Sequence, residues 1–355
     1  MKHRFNYNWN LKDAVFTKDK GKVFSCFACG GGSTMGYKLA GFDVIGHNDI
    51  DKKMIEVYKE NHKPKFSFHE SITTFAKRKD LSKELYELDI LDGSPPCSSF
   101  SMAGNREKDW GKEKVFREGQ ELQVLDTLFF DFIDLAKELQ PKVVVAENVK
   151  GLLLGAAKEY VIKIYDAFDK AGYYCQHFLL DASKMGVPQR RERVFFICLR
   201  KDLASKFLYW QDMFTEIPKL ELNFKEQEII FREIFEKENI ERMLTGAALD
   251  LWNNRIETDI DLDNISTRQG RPNYMFNHKF LKLSKVSNTI IANDMCCLYE
   301  EPRYRSKTEL SKCGSYPLDY NFLNLKPEYL IGMSVPPVMT AQIATEVYNQ
   351  WLSKL

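Results

Sequence analysis

Several residues of this 355-residue chain have types and spacings suited to covalent and acid–base chemistry. The most distinctive run is Ser94-Pro95-Pro96-Cys97-Ser98-Ser99-Phe100-Ser101, which follows the apolar stretch Asp89-Ile90-Leu91. An isolated cysteine is most often a small buried hydrophobe. Here two prolines fix the backbone just ahead of it and hold the sulfur in a set direction beyond a strand end. That placement suits a nucleophile. Glu147-Asn148-Val149 follows Val143-Val144-Val145 in the same manner. A carboxylate there commonly caps a helix or joins a salt bridge, but a rim shared with Cys97 favours an acid role. Gln189-Arg190-Arg191-Glu192-Arg193 leads into the apolar run Val194 to Leu199. Strand alternation predicts Arg191 and Arg193 on one face and Arg190 and Glu192 on the other. A solvated charge run is the bland alternative.

The glycine cluster Gly30-Gly31-Gly32 follows Val23-Phe24-Ser25-Cys26-Phe27 and lets the backbone approach a bound nucleotide. The dinucleotide pattern G-x-G-x-x-G fails, because Met35 stands where the third glycine is needed. A pyrophosphate cofactor is therefore disfavoured. Asp49 ends the next strand, where a carboxylate can accept hydrogen bonds from ribose hydroxyls. A ribose acceptor without a pyrophosphate cradle fits S-adenosylmethionine better than NAD.

These residues must be positioned by a regular frame, and residues 21 to 200 supply one. Apolar strands at Val23 to Phe27, Phe42 to Ile45, Asp89 to Leu91, Val143 to Val145 and Arg193 to Leu199 alternate with helical patterns. Leu122, Leu125, Phe129 and Phe132 repeat at helix spacing, as do Val161, Ile164, Tyr165 and Phe168. Such alternation predicts an α/β fold, a doubly wound and mostly parallel sheet with helices on both faces. Ligands then sit beyond the carboxyl ends of the strands, where all the polar groups above fall. After residue 200 the alternation stops. Arg268 to Lys285 holds two Arg, three Lys and no acid, a local charge of +5, which is either a solvated face or a phosphate-contacting one. Ile343, Val347 and Trp351 mark a closing helix.

Composition limits the alternatives. Lys plus Arg number 51 and Asp plus Glu 50, so the net charge of +1 excludes a uniformly basic coat protein and an acidic disordered tail. No apolar run approaches the ~20 residues needed to span a bilayer, and no apolar segment follows Lys2 and Arg4. A cytoplasmic protein with no membrane partner is expected. Eight cysteines are too sparse for a disulfide scaffold. Cys26 and Cys29 form a lone C-x-x-C, read as buried or loop thiols, and no metal site is expected.

In this order the motifs closely resemble the cytosine carbon-5 DNA methyltransferase family of bacterial and phage type. Phe27-Ala28-Cys29-Gly30-Gly31-Gly32 resembles its cofactor loop, and Pro95-Pro96-Cys97 its nucleophile motif. Glu147-Asn148-Val149 is similar to its acid motif and Gln189-Arg190-Arg191-Glu192-Arg193 to its basic motif. Glu309-Leu310 with Ser315 to Tyr320, and Gly332-Met333-Ser334-Val335-Pro336-Pro337, are similar to its closing segments. The resemblance implies a Rossmann-like catalytic domain over 1–200 and 326–355, with a smaller target-recognition domain over 201–325. It implies transfer of a methyl group from S-adenosylmethionine to carbon 5 of a flipped cytosine in duplex DNA. Cys97 would attack carbon 6, Glu147 would hold ring nitrogen 3 and the exocyclic amine, and Arg191 would neutralise the carbonyl side and help keep Cys97 ionised. Gln189 and Arg193 would organise the site.

For the donor, the resemblance implies Phe27, Ala28, Gly30, Gly31 and Gly32 along the loop, and Asp49 on the ribose. Ile50, Ser71, Ile72 and Leu128 would surround adenine, with Pro96, Met333, Ser334 and Val335 completing the pocket. Ser99, Arg268 and Arg271 are the expected DNA contacts. The chain departs from the family at Cys29, where Gly is usual, so its neighbours are expected to make that turn. Ser71 stands for an Asp, and Met333 for an Asn. A tRNA-methylating branch of the family and a catalytically silent DNA-binding regulator are the rival readings. A cognate restriction endonuclease is a candidate partner, and a monomer is expected.

Overall fold

The computed structural model describes residues 3–96, 127–155, 157–212, 215–237, 241–271 and 274–355, with strand backbone at 113–114 and 123–124. Cys97, Ser99, Leu122 and Leu125 lie outside the described residues. Two compact units can be separated. One comprises Val15–Asp181, Glu192–Asn223 and Thr340–Leu355; the other comprises Met1–Ala14, Ala182–Arg191 and Phe224–Met339.

The first unit is built on seven strands: β1 Lys22–Cys26, β2 Asp43–Asp49, β3 Phe66–His69, β4 Ile90–Gly93, β5 Val143–Val149, β6 Tyr173–Asp181 and β7 Glu192–Arg200. Their order across the sheet is β3-β2-β1-β4-β5-β7-β6. Strands β1 to β5 run parallel, whereas β7 is antiparallel to both β5 and β6. The expected mostly parallel α/β sheet is therefore present. Two of its strands carry no plain apolar signal. The outer strand β3 is only four residues of Phe-Ser-Phe-His, and β6 at the other edge interleaves Gln176, His177 and apolar residues.

Helices α1 Gly32–Leu39, α2 Lys52–His62, α3 Ile72–Phe75, α4 Leu128–Leu139 and α5 Ala157–Lys170 connect the strands. Two of the starts are capped by a side chain. The Asp51 side chain accepts from the Lys53 and Met54 amides to cap α2, and Ser71 accepts from Thr74 to cap α3. Helix α4 buries Phe129, Phe132, Leu135 and Leu139 against Phe24, Leu91, Val144 and Phe196 of the sheet. Burying each such side chain stabilises the fold by roughly 1.5–3 kcal/mol.

The second unit contains α6 Gly246–Asn253, α7 Leu262–Arg268, α8 Lys307–Cys313 and α9 Pro327–Met333. Leu244, Leu251, Trp252, Leu262, Ile265, Phe280 and Cys297 form an apolar cluster there. Two buried arginines staple its loops. Arg303 meets Glu309 through two parallel N–H···O bonds of 2.8 Å, and Arg305 donates to Asp294 and to Ser287 Oγ. No helix among the described residues is long and apolar enough to cross a membrane.

Candidate active site

At the carboxyl end of β1 the chain turns through three left-handed residues, Phe27 (φ 51°), Cys29 (φ 47°) and Gly31 (φ 82°), before α1 begins. Gly31 is required twice over. Its φ is one that side chains rarely adopt, and a Cβ there would strike the His62 ring. Cys29 itself adopts the left-handed conformation, so the turn is not transferred to its neighbours as the sequence suggested. What holds Cys29 there is Asp49, whose Oδ2 accepts its amide at 2.8 Å while Oδ1 accepts the amide of Asp51. Alternating backbone conformations of this kind gather N–H groups into a concave, anion-tolerant surface. Ala28 is buried in the loop, and its amide donates to Asn48 O.

Ile50 follows Asp49 and its carbonyl meets His69 Nε2 at 3.0 Å. Ser71 spends its hydroxyl on capping α3. Ile72 and Leu128 are buried in the sheet's main apolar cluster, with Phe27 packed against it.

The next two strand ends are joined by a hydrogen bond. Asn148 Nδ2, buried at the end of β5, donates to Pro95 O at 3.2 Å. This ties the acid motif to the backbone two residues before Cys97. Pro96 is the last described residue before that segment. Strand β4 contributes Asp92. Its Oδ2 accepts from Ser25 Oγ and Ser33 Oγ, both at 2.7 Å, and its Oδ1 from Tyr37 OH at 3.1 Å. Burial pushes this carboxyl up to about 6, against the lowering effect of those three donors. Asp92 thereby bonds the first two turns of α1 to β1 and β4. The only sequence signal was three hydroxyl residues at Ser25, Ser33 and Tyr37.

The two arginines of the basic motif separate. Strand β7 begins at Glu192, so Arg191 lies before it and the expected shared face does not form. Arg193 stands across from Val149, and Glu147 across from Phe195, which places Arg193 and Glu147 diagonally on one face. Arg193 Nε is 2.9 Å from Glu147 Oε1, with both side chains largely buried. Burial pulls the guanidinium below its usual range while Glu147 pulls it back up. Arg191 instead donates to Ile290 O at 3.0 Å and Gly332 O at 2.9 Å within the second unit. The arginine beside the acid is therefore Arg193, whereas two peptide carbonyls accept from the Arg191 guanidinium.

Gln189 works with Arg191. Its amide donates to Cys313 O and accepts from the Ile290 amide, fixing segment 287–291. Met333 ends α9; Ser334 donates back to Leu330 O, and Val335 is buried. Arg268, expected at DNA, is spent on Asp259 at 2.7 Å and on Asn254 O. Arg271 is exposed and holds no ion pair among the described residues.

The fold is shared with solved methyltransferases. A Dnmt2 methyltransferase from S. pombe superposes with a TM-score of 0.59 over 92% of this chain and 98% of that one, at 16% identity. A Dnmt2 variant from Spodoptera frugiperda gives 0.60 over 91% and 98%, also at 16%. The chain belongs to the C-5 cytosine-specific DNA methylase family, whose model matches residues 21–349. Among curated relatives it is 39% identical to the type II methyltransferase M.FnuDI of Fusobacterium nucleatum over 183 residues, 51% of this chain and 48% of that one. It is 26% identical to M.NgoFVII of Neisseria gonorrhoeae over 93% of this chain and 87% of that one. The match thus spans about half the length of the first of these relatives.

Proposed function

We propose that this chain methylates carbon 5 of cytosine in duplex DNA, with residues 1–200 and 326–355 acting as the catalytic domain and 201–325 as the target-recognition domain. The observation that carries the reading is the Asn148–Pro95 hydrogen bond at 3.2 Å. It ties the chain at Pro95, two residues before Cys97, to the strand end that carries Glu147.

The family's methyl donor is S-adenosylmethionine, and the residues present fit it. The left-handed turn of Phe27, Cys29 and Gly31 opens a concave backbone surface at the start of α1. Asp49 closes that turn at the end of β2, with a carboxylate suited to ribose hydroxyls. Once bound, the donor supplies an electrophilic methyl group on a sulfonium. Ala28, Gly30, Gly32, Ile50, Ser71, Ile72, Pro96, Leu128, Met333, Ser334 and Val335 complete the proposed donor site.

Carbon 5 of cytosine is too weakly nucleophilic to take a methyl unaided. The Cys97 thiolate adds to carbon 6, and the electron pair released into the ring makes carbon 5 nucleophilic. Glu147 hydrogen-bonds ring nitrogen 3 and the exocyclic amine, offsetting the charge that develops there. Arg193, held by Glu147, faces the ring's carbonyl oxygen. After carbon 5 takes the methyl, its proton leaves to a base and the Cys97–carbon 6 bond breaks. A stacked base cannot meet these groups, so the cytosine is flipped out of the helix. Ser99 and Arg271 join the DNA contacts, while Gln189 and Arg191 brace segment 287–291 of their own unit.

The proposal includes a monomer in the cytoplasm, with a restriction endonuclease cutting the same sequence as a partner. The test is transfer of labelled methyl from S-adenosylmethionine to duplex DNA and, in parallel, to tRNA. Labelled DNA supports the reading, whereas labelled tRNA alone transfers it to the RNA branch. DNA carrying 5-fluorocytosine should form a covalent adduct with the wild type and none with Cys97→Ser. No adduct from the wild type would leave a silent DNA-binding regulator.

A further inference from the structure

Within the unit that holds Gln189 to Arg191, one cavity of about 500 Å³ is walled by Arg190, Lys279, Lys282, Lys285, Ser287 and Asn288 together with apolar side chains. Four cationic residues line it and no carboxylate does. The lysines recur every third residue along one segment whose backbone is pinned. Phe280 donates to Ile260 O, Lys285 O accepts from Phe231, and Ser287 O accepts from Arg190.

Nearby acids offset two of these four cations, Arg190 and Lys282, only in part. Glu228 lies 3.0 Å from Lys184 and only 3.9 Å from Arg190. Asp259 is paired with Arg268, and Glu300 accepts the Leu283 amide. Among the described residues, Lys279 and Lys285 hold no ion pair. Lys282 is held in place, its ammonium 2.8 Å from Glu257 O and 4.6 Å above the Tyr299 ring. Lys279 and Lys285 therefore bring positive charge to one cavity with no acid partner among the described residues, and an anion inside it turns their mutual repulsion into attraction.

We propose that this cavity is a phosphate-binding site that grips the backbone of the bound duplex and sets its position without reading sequence. The inference rests on the DNA reading above and adds to it the place where backbone charge is met. Phosphate contacts of this kind dominate affinity and its salt dependence, whereas base contacts supply specificity. The size is consistent with more than one phosphate, since sites for whole small ligands begin at roughly 300 Å³.

The experiment uses the full chain and a fluorescent 30-base-pair duplex, with anisotropy titrations at several salt concentrations. Lys279→Ala and Lys285→Ala should each weaken binding several-fold and reduce the slope of log K against log salt by about 0.9. The double variant should lose roughly 1.8. Lys285→Arg should keep the wild-type slope, and equal melting temperatures show that the variants fold. The site is overturned if the wild type binds duplex and the double variant binds with an unchanged slope. Titration with inorganic phosphate separates a free-anion site from a backbone site. Saturable binding that fails to compete with the duplex overturns the backbone assignment; competition supports it. A wild type that binds no duplex at any salt overturns the underlying DNA reading instead, and this site with it.

Discussion

Arg193 Nε lies 2.9 Å from Glu147 Oε1, across antiparallel neighbours on one face of the sheet. Two residues earlier in the chain, Arg191 turns to a different task and ties Gly332 O to Ile290 O. One charged pentapeptide thus divides between an ion pair at a strand end and a backbone clamp.

Arg193→Ala should therefore reduce methyl transfer about 10²–10³-fold, the usual cost of removing one preorganised donor facing developing charge. Cofactor affinity should stay within a few-fold. Single-turnover rates on duplex DNA, with cofactor binding by calorimetry, test this. A variant whose rate matches wild type would return the carbonyl role to another residue.

Arg191 and Gly332 should act on stability as one unit. A Cβ on Gly332 would collide with the Ile291 and Ala292 backbone, forcing apart the segments that Arg191 joins. Gly332→Ala should cost about 1–3 kcal/mol by overpacking. Arg191→Met should cost a similar amount by stranding two carbonyls. Because both break the same contact, the double variant should lose less than the sum in denaturant titrations. Strict additivity would show that the two are independent.

The parallel sheet was legible in the sequence because its inner strands are buried on both faces and carry plain apolar runs, as at Val143 to Val145. Strand β6 was not, because Gln176 and His177 interrupt its apolar residues at mid-strand and several of its positions are only partly buried. The divergence of Arg191 and Arg193 was also hidden. It depends on where β7 begins, and alternation cannot locate a strand's first residue. The buried arginines, Arg303 and Arg305, gave no signal either, since their partners Glu309 and Asp294 are fixed only by tertiary packing.

The left-handed Cys29 offers a simple stability test. An L-residue with a side chain loses roughly 1–2 kcal/mol in this conformation, part of which glycine returns as unfolded-state entropy. Cys29→Gly should raise stability by about 0.5–1 kcal/mol, while Cys29→Val, branched at Cβ, should lower it by at least about 1 kcal/mol. Urea midpoints of the three proteins check the order. Equal midpoints would mean the loop relaxes freely around this position.

Asp92 predicts a pH dependence with a definite sign. Its carboxyl titrates near pH 6 when folded, against 3.8 for the free side chain, because burial penalises the charged form. Between these values the folded protein binds the extra proton. This group's contribution to stability is thus full below about pH 4 and is lost as pH rises through about 6. A shift of that size corresponds to about 3 kcal/mol. His47 acts oppositely: burial lowers it to about 3, so its contribution is lost as pH falls below about 6.5. The two slopes overlap, and only a difference measurement separates them. Comparing wild type with Asp92→Asn by denaturation at pH 4, 5, 6 and 7 cancels the histidine. The wild type should lose stability relative to the variant from pH 4 to 6, with no further change above about pH 7. A flat difference would mean that Asp92 titrates at its ordinary value and that its three hydroxyl donors fully offset the cost of burial.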